Sequence, residues 1–537
     1  MDWEILGHLE KIYKYRKKLF TMAAIVTDQF RILNASNFID SISDTTNNSY
    51  YVFLSLPNPT QVGFGRSTNW DDNTPVPVDN FNNLNHVGET MMFGKKVTSI
   101  NAKRLIRRID WARGTRYEMY RHDYSASNLS PITQSTRLYD SNYYVMNSDY
   151  KVYICIENGS SGISTTGNAS QDEPLFTDLE PSKSGESGDG YVWKYLFSVN
   201  PSDIVKFDST EYIALPNDWS TSTDAQVSAV RDNGDSEIYE NQIKKVYIKN
   251  QGSNYSGGLG QEVDILGDGS GAKVIVDVVS GKITNTTVSS GGKGYTYGMV
   301  DLGSINGSAA GTYAHLIPII PPSRGHGYDI YKELGADKIL IYARFDDSTK
   351  DFPIDTKFAQ VGIVKNPTSI GSTSLYMENQ FSSLNAIKFS SVSGTLSVGD
   401  KISQSVTGGI AKGYVASYDS ETKVAKYFVD RSLTFNQTTL DETDYIGITT
   451  ASKVLSFESS SNPVTTASFS GSIDTTFTGI TTNPTGTKII DLGSQFTNGL
   501  ANTEINKGSG DIIYLDNRPL ISRNSRQKED VKIILEF

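Results

Sequence analysis

The stretch "GDGYVWKYLFSV" at 188–199 constrains the fold of this chain more than any other part of its sequence. Its large apolar residues recur at every second position, which is the period of a β-strand. One face of that strand would carry Tyr191, Trp193, Tyr195, Phe197 and Val199. Turn-forming Asp-Gly and Asn-Pro pairs bound the stretch. We predict a core strand packed against a second layer, rather than a ligand pocket or a stacking platform for nucleic acid.

The composition of the 537-residue chain favours short strands joined by tight turns. It contains 46 Gly, 30 Tyr and 22 Phe, while hydrophobic residues make up only 37%. Aromatic side chains fill sheets, and Gly occupies turns. Because the chain is too long for one core, we predict an all-β, multi-domain protein. Its expected architecture is a β-sandwich-like core with inserted small β-modules and few short helices.

Charge and cysteine content exclude several classes of function. A net charge of -11 argues against nucleic-acid binding through the bulk surface, because Lys and Arg neutralise phosphates. The single cysteine, Cys155, cannot form an internal disulfide and has the spacing of a strand core residue. No apolar run approaches the roughly 20 residues that span a bilayer, so we expect no membrane partner.

Residues 1–21 are predicted to be a basic, helix-like N-terminal extension. Met22 directly precedes a strand-like stretch, "AAIVTDQFRI" at 23–32. Two interpretations stay open: the extension is an interface helix, or translation starts at Met22.

Shifts in composition divide the remaining chain into five segments. They are a β domain at 22–245, a Gly-rich repeat module at 246–320, a connecting segment at 321–371 with a helix (329–334) and a strand (338–345), a Ser/Thr-rich inserted module at 372–482, and C-terminal strands at 483–537 that complete the core. The repeat consists of "VYIKNQGSNYSGG" at Val246 and "TTVSSGGKGYTYG" at Thr286. We expect 246–480 to project as one or two modules from a core built by both chain ends.

Two motifs contain residue types that are used in catalysis, but their context favours structural roles. "GDGSGAK" at 267–273 resembles a phosphate-binding loop, yet a strand-like "VIVDVV" follows instead of the required helix, which predicts a turn. Arg324, His326 and Asp329 could act in acid–base chemistry, but no nucleophile motif accompanies them. We predict a polar network at a domain junction.

The acidic and histidine residues do not predict a metal site. Asp346, Asp347, Asp351 and Asp355 lack the ordered spacing of a calcium loop, so a solvated loop is favoured. The five histidines are scattered without metal-ligand spacing. We therefore expect no catalytic residues, no metal and no cofactor, and predict that the protein is not an enzyme.

The segment "RLIRRIDWARGTRY" at 104–117 concentrates positive charge in an acidic chain. Arginine interleaved with aromatic residues suits nucleic acid and is also typical of protein–protein hot spots. The net charge favours a protein interface. Its candidate residues are Arg104, Arg107, Arg108, Trp111, Arg113 and Arg116.

Several segments together resemble a known family. These are "AIVTDQFRILNASNFIDSI", "FGRSTNWDD", "RRIDWARGTRY", "GDGYVWKYLF", "EYIALP", "GSGDIIYLDNRPLI" and the terminal "VKIILEF". Their order is similar to that in the gene-eight baseplate wedge subunits of T-even-like contractile-tailed bacteriophages. The resemblance covers roughly residues 23–245 and 485–537, while 246–480 departs from the shorter family members.

The resemblance implies a structural protein of the virion tail baseplate, present in the host cytoplasm during assembly. It implies a homodimer that binds other baseplate wedge subunits, and the family offers no catalytic residues to transfer. The alternative is a tail-associated glycan-binding or glycan-degrading protein, because Tyr- and Asn-rich β-domains also bind sugars. No carboxylate pair stands at a recognisable glycosidase spacing.

Overall fold

A computed structural model describes most of the chain in two compact units. The described residues are 25–57, 70–233, 242–305, 312–346, 356–406, 409–428, 464–466, 468–478, 496–523 and 527–537. Unit 1 is drawn from Met1–Asn37, Lys103–Ile339 and Leu535–Phe537, and unit 2 from Phe38–Ala102 and Leu340–Ile534. The N-terminal extension predicted at 1–21 lies outside the described residues.

The α-helices of the described residues are short, apart from the first. They are α1 (Asp28–Ser43), α2 (Phe81–Thr90), α3 (Pro201–Phe207), α4 (Ala225–Asp232) and α5 (Ile330–Leu334). The helix expected at 329–334 is confirmed as α5, and the Asp329 side chain caps it by accepting a hydrogen bond from the backbone N–H of Lys332 at 3.1 Å.

The strand-like interpretation of residues 23–32 is wrong from Asp28 onward, because α1 begins there. Its β-branched and aromatic residues favour a strand locally. In the helix, however, Ile32, Ala35, Ile39 and Ile42 recur at helical spacing and are all buried. Burial of this face outweighs the local preference.

The strands confirm the all-β, multi-domain prediction. They are β1 (Tyr50–Ser55), β2 (Met91–Val97), β3 (Ala102–Arg107), β4 (Tyr144–Met146), β5 (Lys151–Asn158), β6 (Ser182–Lys183), β7 (Tyr191–Ser198), β8 (Tyr212–Ala214), β9 (Val246–Asn250), β10 (Gln261–Gly267), β11 (Ser270–Val279), β12 (Lys282–Lys293), β13 (Gly298–Val300), β14 (His315–Pro318), β15 (Lys338–Asp346), β16 (Lys357–Lys365), β17 (Gln380–Ser382), β18 (Asn385–Gly394), β19 (Lys401–Val406), β20 (Gly409–Asp419), β21 (Val424–Phe428), β22 (Val464–Thr466), β23 (Phe469–Ile473), β24 (Phe496–Thr497), β25 (Leu500–Ala501), β26 (Asp511–Ser522) and β27 (Lys528–Glu536).

The aromatic strand β7 lies inside unit 1, in a sheet of order β4-β5-β7-β6. Trp193 is fully buried, as predicted for the aromatic face. The opposite face is also covered, because Lys194 and Leu196 are 3% and 1% exposed. The strand therefore lies in the core with both of its faces covered, and it forms neither a pocket floor nor a stacking platform.

The Gly-rich residues of unit 1 form a second cluster with its own buried core, around a sheet of order β12-β11-β10-β13. The "GDGSGAK" turn is confirmed, because β10 ends at Gly267 and β11 begins at Ser270. Each half of the sequence repeat supplies one tyrosine to this core. The Tyr255 hydroxyl accepts from the N–H of Ala314 at 2.8 Å, and the Tyr295 hydroxyl donates to the Ile265 carbonyl at 2.9 Å.

Unit 2 contains a five-stranded antiparallel sheet of order β17-β2-β1-β16-β26. One row of residues across it alternates in size: Phe381, Gly94, Phe53 and Gly362 are successive cross-strand partners. β16 lies between β1 and β26, within the sheet. The expectation that all of 246–480 projects from the core is therefore wrong for β16. This strand is an inner strand of the sheet, since it pairs with β1 on one side and β26 on the other.

A second sheet of unit 2 closes on itself. Its order is β21-β20-β19-β22-β23-β18-β25-β24, with an additional pairing between β21 and β18. Six strands therefore form a ring without a free edge between them. Its core is a cluster of buried apolar residues that includes Phe389, Ile402, Val415 and Phe469. The five-segment division of the sequence stays a prediction.

Candidate protein-binding surface

The basic segment begins in strand β3, which pairs antiparallel with β8 in unit 1. Arg104 is 3% exposed, and its guanidinium lies over the Tyr331 ring at 4.2 Å from the centroid. Its Nη1 also donates to Asn217 at 3.5 Å. Arg104 therefore contributes to packing inside unit 1, and the accessible part of the predicted interface does not include it.

Arg107 and Arg108 hold two neighbouring loops against the end of β3. Arg107 donates to the carbonyl of Ser141 at 2.7 Å, to that of Asp140 at 3.3 Å and to the Asn142 amide oxygen at 3.1 Å. Arg108 forms ion pairs with Asp110 at 2.9 Å and with Asp208 at 2.6 Å. Arg107 has no carboxylate partner among the described residues.

Trp111, Arg113 and Arg116 contact a different loop, at residues 166–171. The indole Nε1 of Trp111 donates to Ser170 at 3.0 Å, and Arg113 donates to Gln171 at 3.4 Å. Arg116 donates to Thr166 at 3.3 Å and also to the Gly167 carbonyl. The candidate residues therefore do not form one patch, and each exposed arginine already binds a loop of its own unit.

A cleft of about 520 Å³ lies beside Arg107 and Arg108. Its lining residues include Leu105 and Ile106 of β3, Tyr212 of β8, Arg137 and Tyr139. Arg31 of α1 also lines it. Volumes of this size are typical of ligand and peptide sites.

Two positive charges in the cleft have no carboxylate partner. Arg137 pairs with Asp28, and Lys338 pairs with Asp337 at 3.0 Å. Arg31 forms no ion pair or side-chain hydrogen bond within the described chain, and Arg107 donates only to neutral oxygens. One carboxylate of the lining, that of Glu211, likewise has no cationic partner there.

A buried carboxylate positions one wall of the cleft. Glu118 is fully buried, and it accepts backbone hydrogen bonds from Ile132 at 3.0 Å, Thr133 at 2.8 Å and Asn142 at 2.8 Å. Arg137, Tyr139 and Asp140 lie in the loop held this way. Buried carboxylates need such donors, because an unsolvated charge is costly. The wall is therefore fixed before any ligand binds.

Of the acid–base candidates Arg324, His326 and Asp329, His326 lies in a buried polar network inside unit 1. His326 Nδ1 and Glu333 Oε1 lie 2.6 Å apart in the interior, and the other Glu333 oxygen accepts from the Gly327 N–H at 2.7 Å. Asp329 caps α5 instead of contacting His326. The Arg324 guanidinium lies over the Tyr328 ring at 3.9 Å.

The remaining candidates show no reactive arrangement. Asp346 pairs with Lys528 at 2.8 Å, while Asp347, Asp351 and Asp355 lie outside the described residues. Burial raises the pKa of the Cys155 thiol well above its usual value, which makes the thiol unreactive. Within the described ranges, no cluster of three or more His, Cys, Asp or Glu could hold a metal ion. None of the helices described is long and apolar enough to cross a membrane.

Sequence reasoning missed Arg31. It lies in the stretch that was interpreted as a strand, and a single arginine among apolar residues carries no motif. An N-cap signal was present, because Thr27 precedes α1 and its hydroxyl accepts from the Phe30 N–H at 3.3 Å. That signal would have placed Arg31 on a helix, but not in a cleft.

The fold and this surface define a multi-domain β protein with a mixed-charge cleft in unit 1. No family model matches the chain. The chain is similar to the baseplate wedge protein gp8 of Enterobacteria phage T4, with 27% identity over 222 residues. The match covers 36% of this chain and 60% of that protein, so the chain spans less than two thirds of its relative. The similarity supports a distant relationship to a phage baseplate wedge protein.

Proposed function

We propose that this protein is a structural subunit of a phage tail baseplate and a building block of its wedge. The distant similarity to a baseplate wedge protein carries the proposal. An architecture of several β-sheets, in which the exposed arginines bind loops of their own unit, suits a protein that keeps its shape in an assembly. The expected location is the tail baseplate of the virion, and the host cytoplasm during assembly.

The finer part of the proposal concerns partners. The protein is expected to form a homodimer, to bind other wedge subunits and to have no enzymatic activity. Light scattering of the purified chain at micromolar concentrations should give twice the mass of 59.0 kDa. A monomer across that range would contradict the dimer without affecting the baseplate role.

The baseplate role is tested in the phage that encodes the chain. A stop codon within β1 should yield particles or free tails without complete baseplates, and supplying the gene in trans should restore infectivity. Normal infectious tails without the protein would refute the role. Cleavage or tight binding of host polysaccharide by the purified protein would support the glycan-active alternative instead.

A further inference from the structure

The cleft in unit 1 contains Arg31, a half-buried cation without a partner in the described chain. Most charged groups around it are paired, including Arg108, Arg137 and Lys338. A guanidinium offers a planar set of donors that matches a carboxylate or a phosphate. An anionic group of a ligand could therefore form an ion pair with Arg31.

The other charged groups that line the cleft favour a carboxylate over a phosphate as the ligand of Arg31. Four carboxylates line the same cleft: Asp140, Glu211, Asp337 and Glu536. A nucleic-acid backbone places a negative charge at every nucleotide, so these carboxylates and the net charge of -11 oppose it. A peptide with isolated carboxylates avoids this repulsion.

Unused polar groups in the cleft also fit a peptide. Tyr212 and Thr210 line the cleft, and their side chains have no hydrogen-bond partner within the described residues. They can pair with the N–H and C=O groups of an extended chain.

We propose that the cleft binds an extended segment of a partner subunit that carries one isolated carboxylate, and that this carboxylate pairs with Arg31. The proposal, which rests on the function proposed above, identifies the kind of partner that this face accepts. Arg107 contributes positive charge while holding the loop at 140–142. The fixed loop means that little of the binding energy is needed to order the site.

The test uses the full-length protein and fluorescein-labelled hexapeptides. One peptide carries a single central Glu among Leu and Ser residues, and its neutral counterpart has Gln at that position. Fluorescence anisotropy should show the Glu peptide binding at least tenfold more tightly, where tenfold corresponds to about 1.4 kcal/mol. Arg31→Gln should abolish this preference, and Arg31→Lys should retain part of it.

Lys282→Gln is the matched control, because it removes the same charge from an exposed residue of unit 1 outside the cleft. It should leave the preference unchanged. Equal binding of both peptides, or an unchanged preference in Arg31→Gln, would overturn the proposal. Tighter binding of single-stranded oligothymidylate than of the Glu peptide would overturn it in favour of a phosphate site.

The same variant separates this proposal from the baseplate role. A phage that carries Arg31→Gln should assemble fewer complete baseplates than one that carries Lys282→Gln. Equal assembly of the two would refute the cleft proposal and leave the baseplate role intact. Absence of the wild-type protein from purified tails would refute the role, while the peptide measurement would still stand.

Discussion

The indole ring of Trp193 stacks on the ring of Tyr191, with centroids 5.3 Å apart and an interplanar angle of 14°. Tyr117 meets the same indole edge-on at 5.8 Å. The two strand residues share one face, and the third ring comes from the end of the basic segment. The contact between Tyr117 and Trp193 therefore anchors the end of the basic segment in the core of unit 1.

Replacing Trp193 with alanine should destabilise the protein by about 3–5 kcal/mol, the usual range for a buried tryptophan. Trp193→Phe should cost clearly less, because it keeps a ring against Tyr191, and the indole N–H that it removes has no hydrogen-bond partner in the described residues. Urea denaturation followed by circular dichroism would measure both. Equal stability of Trp193→Ala and the parent would show that the ring is not part of the core.

Glu118→Gln should loosen the wall of the cleft. Its amide nitrogen cannot accept a hydrogen bond, so at least one backbone N–H among Ile132, Thr133 and Asn142 loses its acceptor. We expect a cost of about 1–3 kcal/mol. Hydrogen exchange should accelerate at residues 130–142. Glu186→Gln is the control, because Glu186 is exposed, and it should change neither quantity.

Stability should rise with pH between about 7.5 and 9.5 because of Lys194. Burial lowers the pKa of this ammonium from 10.5 to about 8. Since the unfolded chain holds the proton up to its higher pKa, it binds more protons in this window, and raising the pH favours the folded state. Over this window the rise is about 2 kcal/mol, since one pKa unit corresponds to about 1.4 kcal/mol.

Lys194→Met should remove that rise. Chemical denaturation at several pH values would show it as a flatter pH profile than that of the parent. Above about pH 10 the sign reverses, because tyrosines ionise in the unfolded state first. Burial raises the pKa of Tyr143 well above its ordinary value, so it stays neutral in the folded state. A parent profile that is flat from 7.5 to 9.5 would contradict the role of Lys194.

Gly362→Ala should destabilise unit 2 by about 1–3 kcal/mol through overpacking. A Cβ at this position would overlap the ring of Phe53, which is fully buried. Combining it with Phe53→Leu should recover part of the loss, which a double-mutant cycle would measure. Gly258→Ala is the control, because nothing lies within 4 Å of a Cβ there. Equal melting of Gly362→Ala and the control would refute the packing account.

Short sequence patterns correctly predicted one strand, one helix cap and one turn, because neighbouring residues determine each of these elements. The alternation of β7, the cap of α5 at Asp329 and the turn after Gly267 each follow from a few neighbouring residues. The helix α1 was missed because its local preference points to a strand, and its buried face decides otherwise.

The candidate surface was only partly predictable for the same reason. Its arginines are evident in the sequence, but their partners lie far along the chain: Arg104 reaches Tyr331, and Arg108 reaches Asp208. Whether an arginine is free or already bound depends on such distant contacts. Arg31 and Arg107 line the same cleft although they are 76 positions apart in the sequence. No sequence motif predicts that they lie close together.

The sheet that contains Phe53 and Gly362 has a consequence for biosynthesis. Its strand β1 is synthesised long before β26, because most of the other strands lie between them in the sequence. Until β26 arrives, β16 has an unpaired edge, which is a site for aggregation. Contacts this distant along the chain also form slowly. Unit 2 therefore completes its folding only after β26 has been synthesised, and a nascent chain stalled before β26 would need a chaperone to protect that edge.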